Sequence, residues 1–220
     1  MIPEITSAKL KATNGMGIFT IYHRNIDRIT GMVHAGKTAG RITVLEPETA
    51  YLALRLTEEK DFLVYISEES LQQIKENKVP AWKEEVFQAC NTIHYQALNE
   101  NPSGYFVQNT YENILELFDL KVKGGVYIHS NGIPLGTFDP AYDNLLRILN
   151  HLGVEHIVVG TSGHAIPEHL QYIVNEIDPD VLIPLHSYNP ERLLPKNGVQ
   201  FLPEYKRSYS VKGSIIKEQL

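Results

Sequence analysis

What this sequence lacks narrows its class first. Cys90 is its only cysteine, so no internal disulfide and no cysteine-rich zinc site can form. A reducing compartment is expected. No apolar run reaches the roughly 20 residues that a bilayer-spanning helix needs, so no membrane association is expected. The start, Met1-Ile2-Pro3-Glu4, lacks the basic and then apolar pattern of a secretory leader, and a cytoplasmic location follows as the expectation. Positive charge is also short. The 20 Lys and Arg stand against 26 Asp and Glu, a formal net charge of −6. Bulk charge therefore does not hold the chain on nucleic acid, although a local basic groove remains compatible with it. Lys206-Arg207 with Lys212 reads as solvated surface rather than a binding track. Repeats, low-complexity tracts and flexible linkers are missing as well.

What is present is an ordinary globular balance. The 220 residues are 43% hydrophobic and 21% charged, enough for one large domain or two small ones. Strand-like and helix-like segments alternate, which predicts an α/β fold with a largely parallel sheet. Strands are expected at Gly17–Tyr22, Arg41–Leu45, Phe62–Ile66, Gly104–Gln108, Gly125–His129, Glu155–Gly160 and Val181–Leu185. Asn25 is placed to cap a helix that carries Ile29, Met32 and Val33 on one face, with Gly40 as its stop. Pro47 is placed to open the next. Further helices are expected around 68–77, 81–98 and 111–118. Asp139-Pro140 starts one that Gly153 closes, and Leu170, Ile173, Val174 and Ile177 stripe another over Pro167–Ile177. The Gly/Pro-containing loop 131–139 is the expected domain boundary, dividing residues 1–135 from 136–220.

Two segments can carry chemistry. Thr161-Ser162-Gly163-His164-Ala165 follows a strand and opens a helix, where free N–H groups and the helix dipole suit a phosphate. Ile183-Pro184-Leu185-His186-Ser187 ends another strand. A strand, a crossover helix and a parallel neighbour would bring His164 and His186 to one carboxyl edge of one sheet, where open α/β sheets bind ligands. The remaining histidines read differently. His151 sits in a last helical turn, where a cation suits the dipole, and His169 lies beside an apolar stripe. His129 ends a strand without a flank that assigns it a role. His23, His34, His94 and His156 have no partner at ligand spacing. Gly15-Met16-Gly17 precedes a strand rather than following one, so it is no dinucleotide fingerprint. Ser162 does not sit in a G-x-S-x-G nucleophile elbow.

The segment TSGHAIPEHLQYIVNEIDPDVLIPLHS resembles the carboxy-terminal signature of the β-CASP branch of metallo-β-lactamase-fold ribonucleases, the group that includes ribonuclease J. This stretch is also known as the RNA-specificity region of zinc-dependent metallo-hydrolases. Upstream, GIFTIYHRNIDRITGMVHAGKTAGRITVLEPETAYLAL is similar to the insert domain of that family, with its Asn-x-Asp-Arg helix start. The resemblance implies a Rossmann-like β-CASP domain with a parallel sheet, followed by a βαβ segment belonging to a metallo-β-lactamase αββα fold. It implies that His164 contacts the scissile phosphate and assists proton transfer, and that His186 ligates a metal. Ser162 and Gly163 would lie against the substrate backbone. A histidine at 186, where DNA-repair members carry valine, leans toward RNA.

The sequence departs from the family in one respect. The amino-terminal H-x-H-x-D-H motif, on which the two-zinc cluster depends, is absent from these 220 residues. One ligating histidine does not hold zinc, which takes three or four ligands. The chain is therefore expected to be part of an RNA-processing phosphodiesterase, inactive or nearly so alone. It would pair with a complementary metallo-β-lactamase half, self-associate, or belong to a longer protein. The alternatives are a non-catalytic RNA- or protein-binding module, and an unrelated hydrolase or nucleotide-binding protein.

Overall fold

Several of the expected strands are apolar at nearly every position, and such strands need cover on both faces. The computed structural model, which describes residues 1–161, 165–212 and 215–219, supplies that cover. The strands β1 (Gly17–Ile21), β2 (Ile42–Leu45), β3 (Phe62–Tyr65), β4 (Thr92–Ile93), β5 (Tyr105–Gln108), β6 (Val126–Ser130) and β7 (Glu155–Val158) form one seven-stranded sheet, ordered β4-β3-β2-β5-β1-β6-β7. All its pairings are parallel. Helices α1 (Ile2–Lys11), α2 (Ile26–Thr38), α3 (Pro47–Leu56), α4 (Glu68–Lys75), α5 (Ala81–Ala89), α6 (Tyr95–Leu98) and α7 (Pro140–Leu152) connect and flank them.

The two faces carry two cores. On one, Leu10 of α1, Ile29, Met32 and Val33 of α2, Ala50 and Ala53 of α3, and Val86 of α5 pack with Phe19, Leu45, Phe106 and Ile128. The Phe19 and Phe106 rings meet at 4.3 Å on neighbouring strands. On the other, Leu98, Ile114, Leu117, Leu145 and Leu149 pack with Ile18, Val44, Val107 and Tyr127. Parallel crossovers are right-handed, so opposite directions of travel put the connections on opposite faces. From β1 the chain winds toward the β4 edge, and from β5 it winds toward the β7 edge. The direction reverses between β1 and β5, which makes this a doubly wound, Rossmann-like sheet with its switch point there.

The local signals work as read. Asn25 Oδ1 accepts from Arg28 N–H at 3.0 Å and caps α2. Asp139 Oδ1 accepts from Ala141 N–H at 2.9 Å at the start of α7. Gly153, at φ +68°, closes α7. Neither α1 nor β4 was among the expected elements. The helix α1 draws its fixation from tertiary contacts. Arg41 donates to the carbonyl oxygens of Leu10 at 2.8 Å, Gly15 at 2.7 Å and Thr13, which satisfies the exposed carboxyl end of α1. The expected helix over 81–98 breaks at extended Cys90 to admit β4. Residues 111–118 form 3₁₀ turns kinked at Asn113.

The chain divides into compact units at Met1–Thr161 and Ser162–Leu220, whereas the sequence places a boundary in the loop 131–139. The reason is that α7 buries Leu145 and Leu149 in the first unit's core and β7 extends its sheet. The second unit holds α8 (Pro167–Ile177), a parallel pair β8 (Val181–Leu182) and β9 (Val199–Gln200), and an antiparallel pair β10 (Ser208–Lys212) and β11 (Ile215–Gln219). β7 pairs with β6, and β8 pairs with β9 in a separate two-stranded sheet.

Candidate functional site

The sequence-derived residues divide into two sets. Ser162, Gly163 and His164 lie outside the described residues. His186 is described. Its backbone adopts φ +55°, a left-handed conformation uncommon for residues other than glycine. Pro184 cannot donate a ladder hydrogen bond, so β8 stops short of it and the chain turns at His186. There His186 lines a cleft of about 900 Å³ with Glu168, Pro184, Ser187, Asn189 and Arg192. Among the described residues no group of three or more His, Cys, Asp or Glu is placed to hold a metal.

The carboxyl edge of the seven-stranded sheet is built around Glu46, which follows β2. Glu46 is buried, 3% exposed as a residue. It accepts from Thr110 N–H at 2.8 Å, Thr110 Oγ1 at 3.2 Å and Asn113 Nδ2 at 3.0 Å. Its own N–H donates to Gln108 Oε1 at 3.2 Å, and Gln108 Nε2 donates to Thr49 Oγ1 at 2.8 Å. Burial pushes the Glu46 pKa up, and the bonds from Asn113 and Thr110 pull against that shift. This carboxyl knits the ends of β2 and β5 together, one strand from the switch point. Nearby Glu116 is pushed up to about 7, first by burial and then by the charge of Glu46.

On the other side of the switch point, Arg28 reaches from the first turn of α2 to the end of β6. Its Nη1 donates to Ser130 Oγ and, at 3.4 Å, to Asn131 Oδ1. Asn131, at φ +64°, binds Thr161 twice. Its Oδ1 accepts from Thr161 N–H at 3.2 Å and its Nδ2 donates to Thr161 O at 2.9 Å. The residue that precedes Ser162 in the chain is thus held to the end of β6.

A further cluster escaped the sequence reading. His129 on β6 and His156 on β7 approach at 5.9 Å between ring centroids, with Tyr127 and Tyr142 around them. His129 Nε2 pairs with the Pro134 carbonyl at 2.8 Å. His156 Nε2 is buried and makes no hydrogen bond to a described residue. Burial lowers both pKa values, and His156 is lowered further by His129. The period-two spacing of Tyr127 and His129 was the available signal, since it puts both on one face of β6.

No protein-family model matches the chain, and no curated protein matches it. Among solved structures it is similar to the crystal structure of a protein of unknown function from Enterococcus faecalis V583, at 28% identity and a TM-score of 0.69. The likeness covers 92% of this chain and 43% of that one. The chain therefore spans less than half the length of that protein.

Proposed function

We propose that this chain supplies part of a metal-dependent, RNA-processing phosphodiesterase of the β-CASP, metallo-β-lactamase-fold kind. In this reading His164 contacts the scissile phosphate and His186 ligates a metal. Ser162 and Gly163 lie against the substrate backbone, and residues 162–220 contribute to an αββα layer. The observation that carries the reading is His186, a non-glycine residue at φ +55° on the wall of a cleft. Such conformations cost of order 1–3 kcal/mol and gather at functional sites.

Two features support it. The doubly wound parallel sheet suits a Rossmann-like insert domain. The second unit leaves Leu170, Ile173 and Ile177 of α8 exposed, and Val174 is the only apolar side chain it buries among its described residues. An apolar helix stripe of this kind is ordinarily covered by a partner layer. The missing metal ligands and the missing cover would come from one source, a complementary metallo-β-lactamase half or a second copy.

The test is zinc and manganese content per chain after dialysis against metal-free buffer, alone and with the complementary half, together with RNA cleavage. The chain alone is expected to hold little metal, and the pair to hold metal and cut RNA. His164→Ala should abolish cleavage while sparing most metal, whereas His186→Ala should also weaken metal binding. A pair that binds RNA without metal uptake or cleavage would leave a non-catalytic binding module.

A further inference from the structure

We propose that Arg28 and the end of β6 form an anion site that takes a backbone phosphate of single-stranded RNA. The choice of RNA rests on the function proposed above, while the anion site rests on the side chains alone.

Two arginines of the first unit, Arg41 and Arg28, use their donors differently. A guanidinium carries five N–H donors in a fixed fork and stays charged. Arg41 has its two terminal nitrogens occupied by the carbonyl oxygens of Leu10, Thr13, Gly15 and Tyr105. Its role is finished inside the fold. Arg41 is buried and Arg28 half-buried, and only the Nη1 of Arg28 has partners, the Ser130 hydroxyl and the Asn131 side-chain oxygen. Ser130 Oγ gives its own hydrogen to the Val159 carbonyl, which orients its lone pairs toward Arg28. Both partners are neutral. No carboxylate among the described residues lies within ion-pair distance of Arg28, and its Nη2 and Nε donate to none of them.

A partly desolvated cation without a counter-charge is costly. The natural completion is an oxyanion that meets the free side of the fork, which suits phosphate geometry. Position agrees. Arg28 stands at the carboxyl edge of the sheet, near its switch point, where such folds take ligands. It lies in the first turn of the 13-residue helix α2, whose dipole adds positive potential. Asn131, which touches Arg28, also holds Thr161. Asp27 shares that first turn and is exposed, so it opposes an anion. Free inorganic phosphate should accordingly bind weakly, and a polymer with several phosphates better.

The experiment uses the full chain, a fluorescein-labelled oligouridylate and, separately, inorganic phosphate. Binding is followed by anisotropy for RNA and by thermal shift for phosphate, across a salt series. Arg28→Gln is expected to weaken RNA binding by about tenfold and to reduce the salt slope by about one. Arg28→Lys, which keeps charge but loses the fork, should weaken affinity with little change in slope. If wild-type protein binds RNA and both variants bind it equally well, the Arg28 site is overturned while the proposed function stands. If phosphate binds through Arg28 and RNA does not bind, the anion site stands and its assignment to RNA falls. Binding of neither probe overturns the site. A purely structural Arg28 would lower the melting temperature and leave the salt slope where it was. Should the Gln variant not fold, the Lys variant decides alone, with unchanged affinity sinking the site.

Discussion

Burial sets opposite pH dependences on two sets of side chains in the first unit. His129 and His156 have folded pKa values below their ordinary value near 6.5. As pH falls through about 6.5, the unfolded chain takes up protons that the buried rings refuse, so stability drops. Above that pH both states are neutral and the loss vanishes. Glu116 runs the other way. Its folded pKa stands at about 7 against 4.5 unperturbed. Its contribution is full below about 4.5 and is lost as pH rises through about 7. The two trends oppose each other in wild-type protein, so single substitutions are needed to separate them. His156→Phe keeps the ring contacts with Tyr127 and Tyr142 and removes the proton. Its melting temperature relative to wild type should rise by about 2 °C or more on going from about pH 7 to about pH 5. Glu116→Gln should gain on wild type in the reverse direction, from about pH 5 to about pH 8. Parallel pH profiles for wild type and variant would show that these groups are not the ones refusing or holding protons.

At the scale of elements, the legible parts were those set by neighbours in the chain. Asn25, Pro47, Asp139 and Gly153 mark helix ends by local hydrogen bonds and dihedrals, and each does so in the structure. Gly153→Ala tests one of them. At φ +68° a Cβ is disfavoured, and the change should cost about 1 kcal/mol in urea unfolding. Gly153→Asn should cost less, because asparagine tolerates this region. Equal stability of all three proteins would mean that α7 ends in another way. The elements that escaped reading depend on distant partners. The carboxyl end of α1 is satisfied by Arg41, and β4 is a two-residue strand that exists by pairing with β3. Asn113 kinks the 111–118 segment while donating to Glu46.

Over the whole molecule, apolar burial is unequal. Residues 1–161 carry two cores, one on each face of the sheet, whereas among the described residues beyond Thr161 only Val174 is a buried apolar side chain. Produced separately, residues 1–161 should unfold in one cooperative transition. Residues 162–220 should show no cooperative melt and should bind a hydrophobic dye, since a unit so small with so little core falls below what conformational entropy demands. Cooperative unfolding of 162–220 alone would refute the idea that this unit awaits cover.

Alternation of strand and helix, the caps and the parallel character of the sheet were determined by the sequence itself, because periodicity and capping act over a few residues. The resemblance in 161–187 was likewise written in the order of residues. The order of the strands, the domain division after Thr161 and the company each side chain keeps were decided only by tertiary structure. The strand ending before His164 pairs with β6, and the strand before His186 pairs with β9. The contrast between a satisfied Arg41 and an open Arg28 is of the same kind. Both are single arginines near a strand or helix start in the sequence, and only the acceptors brought to them from up to 103 residues away separate their roles.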